Sequence, residues 1–178
     1  MTKLRVPVGP KDHFQGDPDA PVTLVEYGDY ECPHCAQAHP IVQRVEQHFG
    51  HRLRFVFRNF PLTQIHPHAE AAAQTAEFGA TQGKFWEMHD LLLENQPRLN
   101  FELLETLVGE LDLDPAALSE SLKSEEFAEH VRADFTGGVR SGVNGTPTFF
   151  INGQRHDGPF DYQALVGAIN AALAESES

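Results

Sequence analysis

Cysteine is scarce: the 178-residue chain has two, Cys32 and Cys35, with only two residues between them. No spare pair remains for a structural disulfide, so all thiol chemistry is concentrated at one place. Positive charge is also short. Thirteen Lys and Arg against 26 Asp and Glu give a formal charge of −13, which argues against a nucleic-acid groove or an anionic-membrane patch built on clustered cations. No apolar run nears the roughly 18 residues of a membrane span. What the chain has instead is 40% hydrophobic and 10% aromatic residues, too many for a disordered segment. A chain of this length buries roughly 70% of its unfolded surface and needs no disulfide or metal staple.

The period of the apolar residues switches twice along the chain. Residues 1–20 are polar and rich in Pro and Gly, a stiff lead-in. Residues 22–27 read as a short β-branched strand, and residues 28–31 as a loop. A helix follows from about Pro33, carrying Ala38, Ile41, Val42, Val45 and Phe49, with Gly50 as its stop. Residues 52–58 form a second strand, with Leu53, Phe55 and Phe57 on one face. Arg52, Arg54 and Arg58 take the other and are expected to make a solvated edge, with pairing to acids such as Glu26 as the alternative. These three elements predict a right-handed βαβ unit.

From residue 66 to about 141 the period is helical. Ala69, Ala72, Ala73 and Ala76 mark one helix, and Phe85, Met88, His89, Leu92 and Leu93 a second that also carries Trp86, the single tryptophan and a core aromatic by this reading. A third helix follows an Asn100 cap, a fourth starts at Asp114-Pro115, and a fifth is capped by Ser124. Strand signals return at residues 148–151, then the hairpin dipeptide Asn152-Gly153, a partner strand over 154–157 and a closing helix started by Asp161. The order β-α-β, helical block, β-β-α predicts an α/β chain. Residues 1–64 and 142–178 form the frame, and residues 65–141 an inserted helical domain.

Cys32-Pro33-His34-Cys35 lies where the first strand gives way to the helix. Unpaired N–H groups and the positive end of the helix dipole meet there, and both stabilise a thiolate. Pro33 costs little at the first helical position, and His34 adds positive charge when protonated. The intervening dipeptide places Cys35 one turn on, within disulfide reach. Cys32 is therefore the expected exposed, attacking sulfur, and Cys35 the more buried one that resolves the mixed disulfide. A metal site is the competing reading, with the two thiols joined by His34 or His39 and with His66 and His68 as a weak further pair. Most of the ten histidines fall on polar stretches and read as surface residues.

Glu26 sits in an apolar strand six residues before Cys32. A carboxylate is expensive there unless it has a partner or a task, and a buried acid beside the second sulfur could shuttle its proton. Thr146-Pro147 stands directly before a strand, an awkward place for a residue without an N–H. A cis bond there would turn the chain and leave the Thr146 backbone free to pair with an extended peptide.

Taken together, Cys-Pro-His-Cys after an apolar strand, the inserted helices and Thr146-Pro147 before Thr-Phe-Phe-Ile151 resemble the DsbA-type thiol:disulfide oxidoreductases of the thioredoxin superfamily. Residues 17–27 and the Gly83-Lys-Phe-Trp-Glu87 segment are similar to bacterial members. The resemblance implies a thioredoxin-like fold, Cys32 as nucleophile, Cys35 as resolving thiol, Glu26 as the buried acid and Pro147 as the cis-proline. The expected enzyme is a protein disulfide oxidoreductase that needs no cofactor beyond its redox-active Cys32–Cys35 disulfide. It acts on cysteine-containing protein substrates with a separate redox partner, without nucleic acid or membrane, as a monomer. A glutathione- or small-thiol-dependent enzyme, and a metal-binding or redox-inert module, are the alternatives on the same frame. Lys3 and Arg5 are followed by no apolar stretch. The expected location is the cytoplasm if Met1 is the native start, and outside it if an export signal has been removed.

Overall fold

Val22 to Gly28 and Leu53 to Asn59 are rich in β-branched and aromatic residues, and they build the middle of the sheet. In the computed structural model, which describes residues 2–178, these are strands β2 (Val22–Gly28) and β3 (Leu53–Asn59). Met1, on which the expected location turns, lies outside the described residues. Strands β1 (His13–Gly16), β4 (Thr148–Ile151) and β5 (Gln154–Arg155) complete a five-stranded sheet among those residues, in the order β1-β3-β2-β4-β5. Strand β2 runs antiparallel to β4, with Leu24 opposite Ile151 and Tyr27 opposite Thr148. Asn152 and Gly153, with φ of 47° and 82°, close the β4–β5 hairpin as the dipeptide predicts.

The helices are α1 (Pro33–Phe49), α2 (Ala69–Ala80), α3 (Phe85–Glu94), α4 (Phe101–Glu110), α5 (Pro115–Ser124), α6 (Ala128–Arg140) and α7 (Tyr162–Ser176). Asn100, Asp114 and Asp161 cap α4, α5 and α7 by accepting from the N–H of Leu103, Ala116 and Ala164. The chain divides into two compact units. One comprises the chain through Gly28, Gln37–Arg58 and Gly137–Ser178 and holds the sheet, with α7 packed on β2 and β4. The other comprises Asp29–Ala36 and Asn59–Thr136 and holds the helices around α2, whose buried alanines let α3, α4 and α5 approach closely. The junction carrying both cysteines groups with the helices.

Three local expectations are corrected. The lead-in contains β1, paired antiparallel with β3 so that His13 faces Phe57. Strand β3 is therefore not a sheet edge. Ser124 ends α5 instead of starting the next helix: Glu125 turns left-handed at φ 56°, and the Ser124 hydroxyl donates to the Ser121 carbonyl. Arg58 is buried, 3% exposed, whereas a solvated face was expected.

Burying a guanidinium requires partners for five N–H groups, and Arg58 has them. Its Nε and Nη2 donate to the two carboxylate oxygens of Asp12 at 2.8 and 2.9 Å. Its Nη1 donates to the Val6 carbonyl and the Tyr27 hydroxyl, and Nη2 also to the Pro7 carbonyl. Arg58 thus fastens residues 6–12 onto β3. Burial pushes the Asp12 carboxyl up, but hydrogen bonds from Arg58 and the Gly9 N–H outweigh it and hold the group below its ordinary value. A depressed acid stabilises the fold above its unfolded pKa of about 3.9, and that contribution is lost as pH falls through the folded value. Asp12→Asn is expected to cost about 3 kcal/mol at pH 7, because Arg58 keeps its charge without its partner. Denaturant unfolding across the acid range checks this: the variant should lose less further stability than the parent on acidification, and identical acid limbs would contradict the pairing.

Candidate active site

Strand β2 ends at Gly28, and the next seven residues turn the chain into α1 through a dense set of hydrogen bonds. The Cys32 N–H donates to the Asp29 carbonyl at 3.1 Å. The Cys32 carbonyl accepts from Cys35 N at 3.0 Å and Ala36 N at 3.2 Å, so Cys32 stands immediately before the helix and Pro33 is its first residue. A third donor, the side-chain amide of buried Gln96, reaches the same carbonyl. A residue at this position stands at the unpaired N–H groups and positive end of α1.

Cys35 is fully buried, as expected, but Cys32 is buried too, at 5% exposure, in place of the exposed sulfur that was expected. The three bonds to its carbonyl hold Cys32 within the turn, while Pro33 and His34 take the outer, exposed positions. The Sγ of Cys35 accepts a hydrogen bond from the Asp29 backbone N–H at 3.4 Å.

Each residue of the loop before Cys32 is anchored separately. Asp29, 1% exposed, accepts from Glu31 N at 2.7 Å and Leu62 N at 2.8 Å and meets His66 Nδ1 at 2.7 Å. The Tyr30 hydroxyl meets His89 Nδ1 at 2.9 Å, both side chains being buried. Glu31 accepts from the His68 backbone N–H and meets His68 Nδ1 at 3.2 Å. His66, His68 and His89 are thus structural partners of this loop, and His39 is buried. Among the described residues, no group of His, Cys, Asp or Glu with metal-ligand spacing contains Cys32 or Cys35. Half-buried Trp86 packs with Phe85 and His89, ring centroids 4.9 and 5.1 Å away, inside the helical unit.

The remaining candidates belong to the sheet unit. Glu26 is buried at 3% exposure on β2, opposite Phe149. Gly28 makes room for it: a Cβ there would lie 2.8 Å from Glu26 Oε2 and 2.5 Å from the Phe57 ring. The Thr146–Pro147 peptide bond is cis and leads into Thr148, which stands opposite Tyr27. Gly28→Ala is expected to cost about 1–3 kcal/mol through overpacking, read as a lower denaturant midpoint; an unchanged midpoint would show that Glu26 and Phe57 move aside freely.

The thioredoxin family matches residues 9–171. The chain belongs to this family. BdbD from Bacillus subtilis superimposes with a TM-score of 0.83 at 28% identity, over 90% of this chain and 92% of that one. A thioredoxin-like oxidoreductase from Silicibacter pomeroyi gives 0.81 at 26% identity, over 93% and 94%. Wolbachia pipientis alpha-DsbA1, at 20% identity and a TM-score of 0.83, shares the fold. In sequence, the chain is 46% identical over 172 residues to a Salinispora arenicola protein named Na(+)/H(+) antiporter NhaA 1, covering 96% of this chain and 26% of that protein. A Mycobacterium protein of the same name is 41% identical over 96% of this chain and 28% of its own length. The chain spans about a quarter of the length of these relatives, and the shared part is the thioredoxin-family segment.

In this thioredoxin-family chain, sequence patterns single out the cysteines, Glu26 and Pro147 but pass over Asp29 and Gln96. Asp29 carried one signal: an acid in the four-residue loop directly before the Cys-x-x-Cys. Gln96 carried none, since a glutamine after a helix is ordinary.

Proposed function

We propose that the chain is a protein disulfide oxidoreductase acting on cysteine-containing substrates through Cys32 and Cys35. The observation that carries this reading is the position of Cys32 immediately before α1, with Cys35 one helical turn on. The Cys32 thiolate attacks a substrate disulfide, forming one mixed S–S bond and releasing one substrate thiol. Cys35 then displaces the second substrate sulfur and closes the Cys32–Cys35 disulfide, so the pair loses the two electrons that the substrate gains. Run backwards, the same steps oxidise a substrate dithiol. The potential of the redox partner sets the direction, about 30 mV corresponding to 1.4 kcal/mol for this two-electron couple.

The redox-active pair is its own cofactor in this scheme. His34, exposed beside Cys32, adds positive charge when protonated, and Pro33 starts the helix at little cost. Glu26 is assigned the role of the buried acid in this scheme, and the backbone at Thr146, ahead of Pro147, that of pairing with an extended substrate. Cation exchange is no part of this proposal, because the chain matches only 26% of the Salinispora protein that bears the antiporter name.

Cys32→Ser is expected to lower turnover by about 100-fold or more in an insulin-reduction or dithiol-oxidation assay, as the loss of a nucleophile does. Cys35→Ser should accumulate mixed disulfides at Cys32 with unfolded protein substrates. Full turnover by the Cys32 variant would refute the assignment, and trapping at Cys35 in its place would reverse the two roles.

A further inference from the structure

Asp29 is a buried carboxylate that the thiol steps above leave without a task. Its backbone N–H points at the resolving sulfur, 3.4 Å from Cys35 Sγ. Its side chain is held from three directions, by Glu31 N at 2.7 Å, Leu62 N at 2.8 Å and His66 Nδ1 at 2.7 Å. Cys35 has no exposed surface, so a thiolate formed there relies on fixed protein donors in place of water. We propose that Asp29 is a positioning residue for the resolving thiol: its carboxylate, tied to the loop at Leu62 and His66, aims its own backbone N–H at Cys35 Sγ and so favours the Cys35 thiolate.

This inference rests on the thiol-exchange reading and deepens its second step. In that step the Cys35 thiolate attacks the Cys32 sulfur of the mixed disulfide. The Cys32–Cys35 bond forms, the Cys32–substrate bond breaks, and the electron pair leaves on the substrate sulfur, which takes up a proton. A hydrogen bond to the attacking thiolate raises the fraction of Cys35 that is ionised.

Two effects of Asp29 on that fraction oppose each other. Its negative charge disfavours a neighbouring thiolate, while the donor it aims favours one. His66 faces the Asp29 carboxylate directly, and the Glu31–His68 pair is the other titratable group of the facing loop. Removing charge alone, as Asp29→Asn does, would speed the Cys35 attack if repulsion dominated. Loss of aim slows it, since the amide presents one acceptor oxygen where the carboxylate presents two.

The two steps separate kinetically with oxidised glutathione as the disulfide. Formation of the Cys32–glutathione adduct in the Cys35→Ser background reports the first step. Release of the second glutathione thiol from the chain with both cysteines reports resolution. Asp29→Ala should leave the first rate within about twofold and slow resolution about tenfold or more, and Asp29→Asn should slow it less. Unchanged resolution, faster resolution in Asp29→Asn, or equal slowing of both steps would overturn the proposal. If far-UV circular dichroism shows Asp29→Ala unfolded, Asp29→Asn decides alone. Absence of any Cys32 adduct in the parent background would instead defeat the thiol-exchange reading itself.

Discussion

Three hydrogen bonds converge on the carbonyl of Cys32, and the chemistry of the chain depends on where they put that residue. Two come from Cys35 and Ala36 and define the first turn of α1; the third comes from Gln96, 64 residues away. A carbonyl so fixed holds Cys32 at the head of the helix. There the aligned peptide dipoles and the unpaired N–H groups favour negative charge. Pro33 reinforces the arrangement, since its own lack of an N–H costs nothing at the first helical position. The same turn sets the second sulfur one helical step on, beneath an exposed surface made by Pro33 and His34.

Each of the two compact units is fastened in its own way. In the sheet unit, β2 delivers the chain to Gly28, and the Arg58–Asp12 ion pair locks the N-terminal segment against β3. In the helical unit, the loop before the cysteines is fastened residue by residue. Asp29 is held at Leu62 and His66, Tyr30 at His89, and Glu31 at His68. A loop without any of these bonds would leave the cysteines mobile, whereas the loss of one leaves the others in place.

Short-range hydrogen bonds made much of the fold legible in the amino-acid sequence. The caps at Asn100, Asp114 and Asp161 and the Asn152-Gly153 turn are closed within two or three residues, so residue type alone signals them. The Cys-x-x-Cys and the acid in an apolar strand were legible for the same reason. What stayed hidden spans longer stretches of chain: Arg58 finds Asp12 46 residues back, and Asp29 finds Leu62 33 residues on. An arginine on an alternating strand reads as solvated until its partner folds over it. Strand β1, with the sequence His-Phe-Gln-Gly, has no apolar alternation of its own and is a strand because β3 offers it an edge. Ser124 misled because serine ends helices as readily as it starts them, and the left-handed Glu125 that decides the matter carries no sequence signal.

The most direct test of this account is the ionisation of Cys32 itself. With only two cysteines in the chain, Cys35→Ser leaves Cys32 as the sole thiol, and the ultraviolet absorbance of the thiolate then reports that one group as pH is varied. An electropositive helix end predicts a midpoint well below the roughly 8.5 of free cysteine. A midpoint at or above that value would mean that burial outweighs the helix end, and that Cys32 is not an activated nucleophile.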